Sequence, residues 1–591
     1  MKKILSLALS AAMLMMTLAG CGGASAAPSG DTGTASSAAD AASAGEVAAS
    51  AAGTTDTGAP VYGGSVTMYF NNLGTDYDPA APDFENYMLW YERLWSPDWA
   101  NTSSNYTILT TDNVSGQIAD TWDWDASAKK LTVNIRQDVT FQKPADSQYD
   151  YYGGRGLVAA DVKWSYERLL GIGDFSEPVQ SMMDWTSTLS MLDSIETDGD
   201  YTVIFNFNTD SEVALNNFIT APVCIAGHEW GELSEEQRSD WHYACGTGPY
   251  IISDYDESNN MTLVKNENYY DYDERYPENK LPYLDSVSLV KVDDTATLMA
   301  EFIAGQVDFI GNTWAVFSSS EAEQIAAGMD ASAYNTFPQA NGGRAIAMKQ
   351  TVEPLKNEKV REALQHAINI EEVATRYFNM TDWTLPTLFA EDTGYSSRDE
   401  WDDALVSSFD YDPELAKSML AEAGYADGFS FDFTYVDSGN ATDLYLLIQQ
   451  YLAAVGVTMN IQAANDHASY ISSITAEDGT LCGVASCATN SIAMIPFCYH
   501  SGGVEYLMGG EDKLDALVDA LSDATTMEEY VSDAKAIDKY IAEQHLTLVV
   551  GPTETMDYFV NSKVGGYHGE NMYASWNCGT ILARIWSITG A

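Results

Sequence analysis

From Val61 onward the chain alternates apolar and polar residues in short runs, the first being "SVTMYF" at 65–70. "KKLTVNIRQDVTF" (129–141) and "YTVIFNFN" (201–208) repeat the pattern. Leu131, Val133 and Ile135 share one face at period two, as a strand with one buried side requires. Elsewhere the apolar spacing lengthens to three and four. In "KVREALQHAINI" (359–370), Val360, Ala363, Leu364, Ala367 and Ile368 form one helical stripe. Asn369 then reads as an N-cap, with Glu372 placed to complete a capping box. "DPELAKSMLAEAGY" (412–425) carries its own punctuation. Asp412 caps, Pro413 takes the first helical position, Leu415, Met419 and Ala423 form the apolar face, and Gly424 ends the helix. Strands interleaved with helices over this length predict α/β lobes. No internal repeat of fixed period accompanies them.

The first sixty residues follow a different pattern. Met1-Lys2-Lys3 is a short basic region, and Ile4 to Met16 is almost wholly apolar. That run is shorter than the about 20 residues a membrane-spanning helix needs, and it reads as a secretory signal. It ends in Leu18-Ala19-Gly20-Cys21, which resembles the bacterial lipobox. The resemblance implies cleavage before Cys21 and a diacylglyceryl thioether on its sulfur, a two-chain anchor. An ordinary signal peptide followed by a chance cysteine is the competing reading. Residues 22–60 hold no Lys, Arg or aromatic residue and one branched aliphatic, Val47. Such a segment cannot offset its ordering entropy and is expected to be a flexible leash with a reach of roughly 30–35 Å. Residues 1–20 are thus assigned to the signal and 21–60 to the lipidated cysteine and linker.

Composition narrows the chemistry. With 46% hydrophobic residues the chain is globular, and 28 basic against 86 acidic residues give a net charge of −58. Phosphate binding depends on Lys and Arg, so a nucleic-acid partner is excluded. Six cysteines follow Cys21: Cys224, Cys245, Cys482, Cys487, Cys498 and Cys578. They form no C-x-x-C pair and no zinc spacing, so no metal is expected; buried thiols and disulfides both stay open. The sequence has no H-E-x-x-H, no G-x-S-x-G and no P-loop, and its 7 His are scattered. No enzyme activity and no cofactor are expected.

Several stretches, in order, carry a family resemblance. They are "LTVNIRQDVTFQ" with "AADVKWSYERLLG", then "GTGPYIISDYDESNNMTLVKNENYYD", then "LPYLDSVSLVKVDDTATLMAEFIAGQVDFIG". "VREALQHAINIEEV", "YDPELAKSMLAEAGY" and "LIQQYLAAVGVTMNIQ" complete the set. From about residue 62 to the C-terminus the chain resembles the large solute-binding proteins of peptide-type ABC importers, the dipeptide/oligopeptide/nickel group. Gly246-Thr247-Gly248-Pro249 is expected to turn through positive φ at glycine, and Gly305 to end a helix. One departure is Val158, where the family commonly has a capping Thr. Either Asp161 caps a helix starting later, or the helix frays.

The resemblance implies an α/β, periplasmic-binding-protein-like, two-lobed fold with discontinuous lobes and an extra domain on lobe one. Lobe one would comprise residues 61–94, 218–335 and 553–591, the extra domain 95–217, and lobe two 336–552. A solute would be enclosed by hinge closure. The implied function is a monomeric, membrane-tethered binding protein on the outer face of the bacterial cell membrane. It would deliver a small solute, first of all a peptide, to an ABC permease and ATPase complex.

Peptide-binding members carry an acid, often in Trp-Cys-Ala-Asp, that pairs with the peptide's α-amino group. Here "SCATNSIAMIPF" puts Cys487 in register and Thr489 in the acid's place, with Asn490 beside it. Buried ammonium groups need a partner, so another acid supplies the charge or the solute has no ammonium there. Thr489 and Asn490 suit hydroxyls or amides, which makes an oligosaccharide the alternative solute. With 14 Trp and 35 Tyr, aromatic faces are the second clue. Trp90, Trp95, Trp99 and Trp185 are candidates, along with Trp314 after the strand "VDFIG" and Tyr499. Asn71 and Asn72 follow the first strand, and Arg344 is placed to hold a carboxylate or an inter-lobe ion pair. A lipid-anchored glycoside hydrolase and a sensory receptor of the same fold are the competing functions.

Overall fold

The alternating runs become strands where their apolar positions find a core. Leu131, Val133 and Ile135 are all buried, facing the equally buried Val203 and Phe205 of the neighbouring strand. The computed structural model describes residues 59–70, 77–80, 85–98, 114–144, 146–179, 189–256, 260–292, 294–311, 319–378, 398–436, 441–464, 512–570 and 578–588. Single positions at 73, 186, 317, 396, 469, 470, 473, 481, 482, 495 and 499–501 join them. The chain divides into residues 1–50, outside the described residues, and a body of residues 51–591.

Fourteen strands of the body matter here. They are β1 (Ser65–Tyr69), β2 (Ala119–Asp125), β3 (Lys130–Ile135), β4 (Leu192–Thr197), β5 (Thr202–Phe207), β6 (Tyr250–Asp256) and β7 (Asn260–Lys265). They continue with β8 (Ser286–Val290), β9 (Phe309–Ile310), β10 (Tyr334–Ala347), β11 (Phe429–Val436), β12 (Val457–Ala464), β13 (Leu481–Cys482) and β14 (Thr547–Asn561). Ten of them form one sheet in the order β12-β11-β13-β10-β14-β9-β1-β8-β7-β6, and β2-β3-β5-β4 form a separate sheet.

The large sheet has two parallel stretches. β1 runs parallel to β8 and β9, and β11 runs parallel to β12 and β13. Between them lie the antiparallel strands β10 and β14, of 14 and 15 residues. Their register is regular from Tyr334↔Asn561 to Ala340↔Thr555, then shifts on both sides of Gly343. Asn335 and Thr553, where the family resemblance places the crossings between lobes, both lie on this pair.

The stripe of Val360, Ala363, Leu364, Ala367 and Ile368 is buried as expected, whereas the helix after Asp412 buries Ala416, Met419 and Leu420 and leaves Leu415 exposed, because its contact face is turned by one residue from the expected one. α1 (Ala159–Leu170) packs on β4 and β5, and α2 (Glu212–Thr220) follows the small sheet. α3 (Thr295–Ile303) and α4 (Ser319–Gly328) flank β9, with Leu298, Phe302 and Ile325 buried against Tyr69, Ile310 and Phe559. α5 (Glu358–His366) and α6 (Pro413–Glu422) pack on each other. Asp412 caps α6 as expected, and Asn357 caps α5. α7 (Ala441–Ala454) packs on β12, and α8 (Asp512–Asp523) pairs with α9 (Met527–Glu543).

Two local expectations resolve differently from their statement. α1 begins at Ala159 with Val158 as its cap residue, and it neither starts later nor frays. The helix holds without the hydroxyl: the Asp161 N–H donates to the Val158 carbonyl at 2.9 Å, and the Asp161 carboxylate accepts the Val158 N–H at 3.0 Å while Arg155 donates two bonds to it at 2.7 Å. In the Gly246–Pro249 turn the glycines are required by space, and neither has positive φ. A Cβ at Gly246 would stand 2.2 Å from the Trp90 carbonyl, and one at Gly248 2.8 Å from that of Leu89. Gly305, at φ 70°, ends α3 as expected.

Candidate functional site

β1, β8 and β9 are parallel and aim their carboxyl ends at the same edge of the sheet. In open α/β sheets that edge is where ligands bind. Asp308 holds it in place. Its N–H donates to Thr67 O at 2.8 Å, its carboxylate accepts the Thr67 N–H at 3.0 Å and pairs with Lys563, and its carbonyl accepts from Asn561 N–H at 2.8 Å. Burial pushes the Asp308 carboxyl above its ordinary range, against the opposing pull of Lys563 and the Thr67 N–H. β9 is thereby clamped between β1 and β14, and β10 and β14 leave the same edge toward β11 and β13.

Most of the sequence candidates lie beyond what is described. Asn71 and Asn72 follow β1, Trp314 follows β9, and Cys487, Thr489 and Asn490 follow β13; all six lie outside the described residues, as do Cys21, Trp99 and Trp185. Arg344 is on β10, within the irregular stretch between the Gly343↔Thr553 and Ala345↔Val549 pairs. Tyr499 is 1% exposed and packs in a core cluster with Ile495, Leu514, Val518 and Tyr530, so it presents no ring to an open surface. Trp90 and Trp95 are core residues too, each 2% exposed. The tryptophans of "MLWYERLWSPDWA" that can be placed serve packing, because large aromatic faces are most valuable to a protein interior.

Beside Trp90 lies a carboxylate that sequence reasoning passed over. Glu92 is fully buried and accepts three hydroxyl hydrogen bonds, from Thr247 at 2.8 Å, Tyr269 at 2.9 Å and Tyr270 at 3.0 Å. Burial pushes its carboxyl up to about 8, more than the three donors lower it. It joins the Gly246–Pro249 turn to the segment after β7 and takes no part in the open edge. Among 86 acids nothing in the sequence marks it.

A second contact joins distant parts of the body. Ser211, the cap of α2, donates its hydroxyl to Ala524 O at 2.8 Å, Glu212 N–H donates to Thr525 O at 2.9 Å, and Val213 is buried among residues of α8 and α9. The one cluster with metal-ligand atoms among the described residues, Asp161, His228 and Glu229, is bridged by a cation already. Arg155 reaches Asp161 at 2.7 Å and Glu229 at 2.6 Å, which makes the group an ion network. Cys224, Cys245 and Cys578 are buried, and the Cys245 thiol donates to Gln142 O at 3.2 Å.

A sheet edge framed by parallel strand ends and two long crossing strands is an arrangement for enclosing a ligand. The sequence matches the model for bacterial extracellular solute-binding proteins, family 5 (middle region), over residues 113–489, more than half of the chain. The chain belongs to this family. This solute-binding protein is similar to the oligopeptide-binding protein AppA of Bacillus subtilis, 24% identical over 442 residues that cover 70% of this chain and 71% of AppA. It is also similar to heme-binding protein A of Haemophilus influenzae, 24% identical over 59% of this chain and 61% of that protein. Among solved structures, AppA of Bacillus subtilis in complex with a nonapeptide matches with a TM-score of 0.68 at 19% identity, over 90% of this chain and 100% of that one. DppA of Helicobacter pylori in complex with a peptide matches with a TM-score of 0.68 at 18% identity, over 89% and 98%. The fold is the α/β two-lobed fold of periplasmic binding proteins. The family's members bind solutes outside the cytoplasm for ABC importers, so this is a binding protein and not an enzyme. No helix among the described residues is long and apolar enough to cross a membrane.

Proposed function

We propose that this solute-binding protein captures a peptide between its lobes and hands it to an ABC permease and ATPase complex. The likeness to oligopeptide-binding AppA, along 70% of this chain, carries the reading. Lobe one comprises residues 61–94, 218–335 and 553–591, the extra domain 95–217 and lobe two 336–552. β10 and β14 serve as the hinge. Their loss of register around Gly343 favours bending there, since a bulge weakens the ladder locally. Asn71, Asn72, Trp314, Arg344, Cys487, Thr489 and Asn490 contact the solute, and Tyr499 supports them from the core. Cys21 carries the lipid, residues 22–60 are the leash, and the protein acts as a monomer at the outer face of the membrane without metal or cofactor.

Thr489 in the position of the family's acid favours a second reading, a neutral oligosaccharide. A thermal-shift screen of the full chain, purified in detergent, against peptides and oligosaccharides separates the two. A ligand that binds only the native form raises its stability by mass action. Stabilisation by peptides is expected; stabilisation by sugars alone would reverse the assignment. Cys21→Ala is expected to release the protein from membranes in a fractionation assay, and unchanged partitioning would refute the anchor.

A further inference from the structure

Arg93 is 3% exposed and lies between the cores of the two sheets. On one side is Tyr166 of α1, packed with Leu131, Val133 and Phe205 of the small sheet. On the other are Tyr87, Cys224 and Cys578, in the cluster that covers Val66 and Met68 of β1. Arg93 interacts electrostatically with all four. Its backbone cannot withdraw toward the surface. The Arg93 N–H donates to Gln117 Oε1 at 3.2 Å, and its carbonyl accepts the Ile118 N–H at 3.2 Å. The flanking carbonyls are tied as well, Glu92 O to Ile225 N–H at 2.8 Å and Leu94 O to Ala119 N–H at 2.9 Å.

A guanidinium taken out of water needs an anion or a set of carbonyls, because an unpaired buried charge is costly. Arg93 has neither. No hydrogen bond or ion pair to its guanidinium exists among the described residues. Glu92, the adjacent acid, is engaged by Thr247, Tyr269 and Tyr270 instead. The Tyr166 hydroxyl, on a residue 1% exposed, has no hydrogen bond among the described residues either. These polar ends differ from the indole nitrogens of Trp90 and Trp230, which are sealed without a partner. The little surface that Arg93 and Tyr166 keep includes the guanidinium nitrogens and the phenol oxygen, so both border a space that admits a water-sized species. Burial lowers Arg93 to about 10, and the group stays charged at neutral pH.

We propose that Arg93 and Tyr166 hold a halide ion, chloride under ordinary conditions, as a resident counterion between the two sheets. The guanidinium can only donate, and the phenol and thiol groups around it each have a proton to give. A small acceptor of single charge, without directional demands, satisfies that set. Water brings no charge, and a divalent oxyanion would leave one of its own charges uncompensated. The net charge of −58 repels anions from the surface, so a halide is retained only in a built site. The assignment is independent of which solute the protein carries.

The test is the melting temperature of the full chain in detergent, in sodium gluconate replaced stepwise by sodium chloride or bromide. Constant ionic strength holds the general screening of the acidic surface fixed. The wild type should gain stability with the logarithm of the halide concentration, as a native-state ligand requires. Arg93→Met should lose the whole rise. In gluconate alone it should melt no lower than the wild type, since an apolar chain replaces an uncompensated charge. Wild-type crystals grown in bromide should show an anomalous scatterer beside the Arg93 guanidinium, a reading that needs no variant to fold. A wild type that melts alike in halide and gluconate overturns the assignment. So does a halide response that persists in Arg93→Met, or a water molecule only beside Arg93 in the bromide crystals.

Discussion

Replacing Glu92 with glutamine should remove a pH dependence of stability that one buried proton creates. In the native protein the Glu92 carboxyl is pushed up to about 8, while its ordinary value is 4.5. Between those values the folded state keeps a proton that the unfolded state has released. Stability from this residue is therefore complete below the lower value and is lost as pH rises through the upper one. The interval between the two values corresponds to about 4–5 kcal/mol across the window. A glutamine in this place would keep the arrangement: its carbonyl accepts from Tyr269 and Tyr270, and its amide donates to Thr247 after that hydroxyl rotates. It cannot ionise. Urea unfolding of wild type and E92Q at pH 5, 6, 7 and 8, followed by tryptophan fluorescence, measures the difference. The wild type should weaken relative to E92Q by several kcal/mol between the extremes, most steeply between about pH 6 and 7, where the native carboxyl is still protonated and the unfolded one is not. Parallel curves at every pH would refute the idea that Glu92 is protonated in the native state.

His545 should act in the opposite direction. It is buried at φ 45°, and burial with help from His366 and Arg361 lowers its imidazole from 6.5 to about 3. The unfolded chain takes up a proton first, so stability is lost as pH falls below 6.5, by about 2 kcal/mol at pH 5. His545→Asn, which tolerates the left-handed backbone, should flatten melting temperature between pH 7 and pH 5. Gly246→Ala should lower the melting temperature sharply, equivalent to about 3 kcal/mol or more, because the Trp90 carbonyl 2.2 Å from the new Cβ is backbone and cannot swing away. A variant as stable as wild type would show that the turn can shift. Arg155→Met should cost more than an exposed ion pair, about 3 kcal/mol, since it strands the buried Asp161 and half-buried Glu229 together. Chemical denaturation of the single and the Arg155/Glu229 double variants checks it.

The sequence by itself determined the local architecture. The cap and first turn of α6 at Asp412 and Pro413, the period-two face of β3, and the end of α3 at Gly305 were legible, because capping, φ preference and periodicity act over a few residues; the α6 stripe was not, since its buried face runs through Ala416, Met419 and Leu420 while Leu415 is 42% exposed. The order of such pieces also sufficed to place the chain in its family. Only the tertiary structure decided what each polar or aromatic residue is for. It turned Trp90, Trp95 and Tyr499 into core, made Asp161 the partner of Arg155 and of a helix cap, and gave the Gly246 turn a steric reason in place of a conformational one. It also separated Glu92 from the rest of the 86 acids by enclosing it among three hydroxyl donors. Dehydration depends on which distant segments close around a side chain, and no stretch of neighbouring residues encodes that.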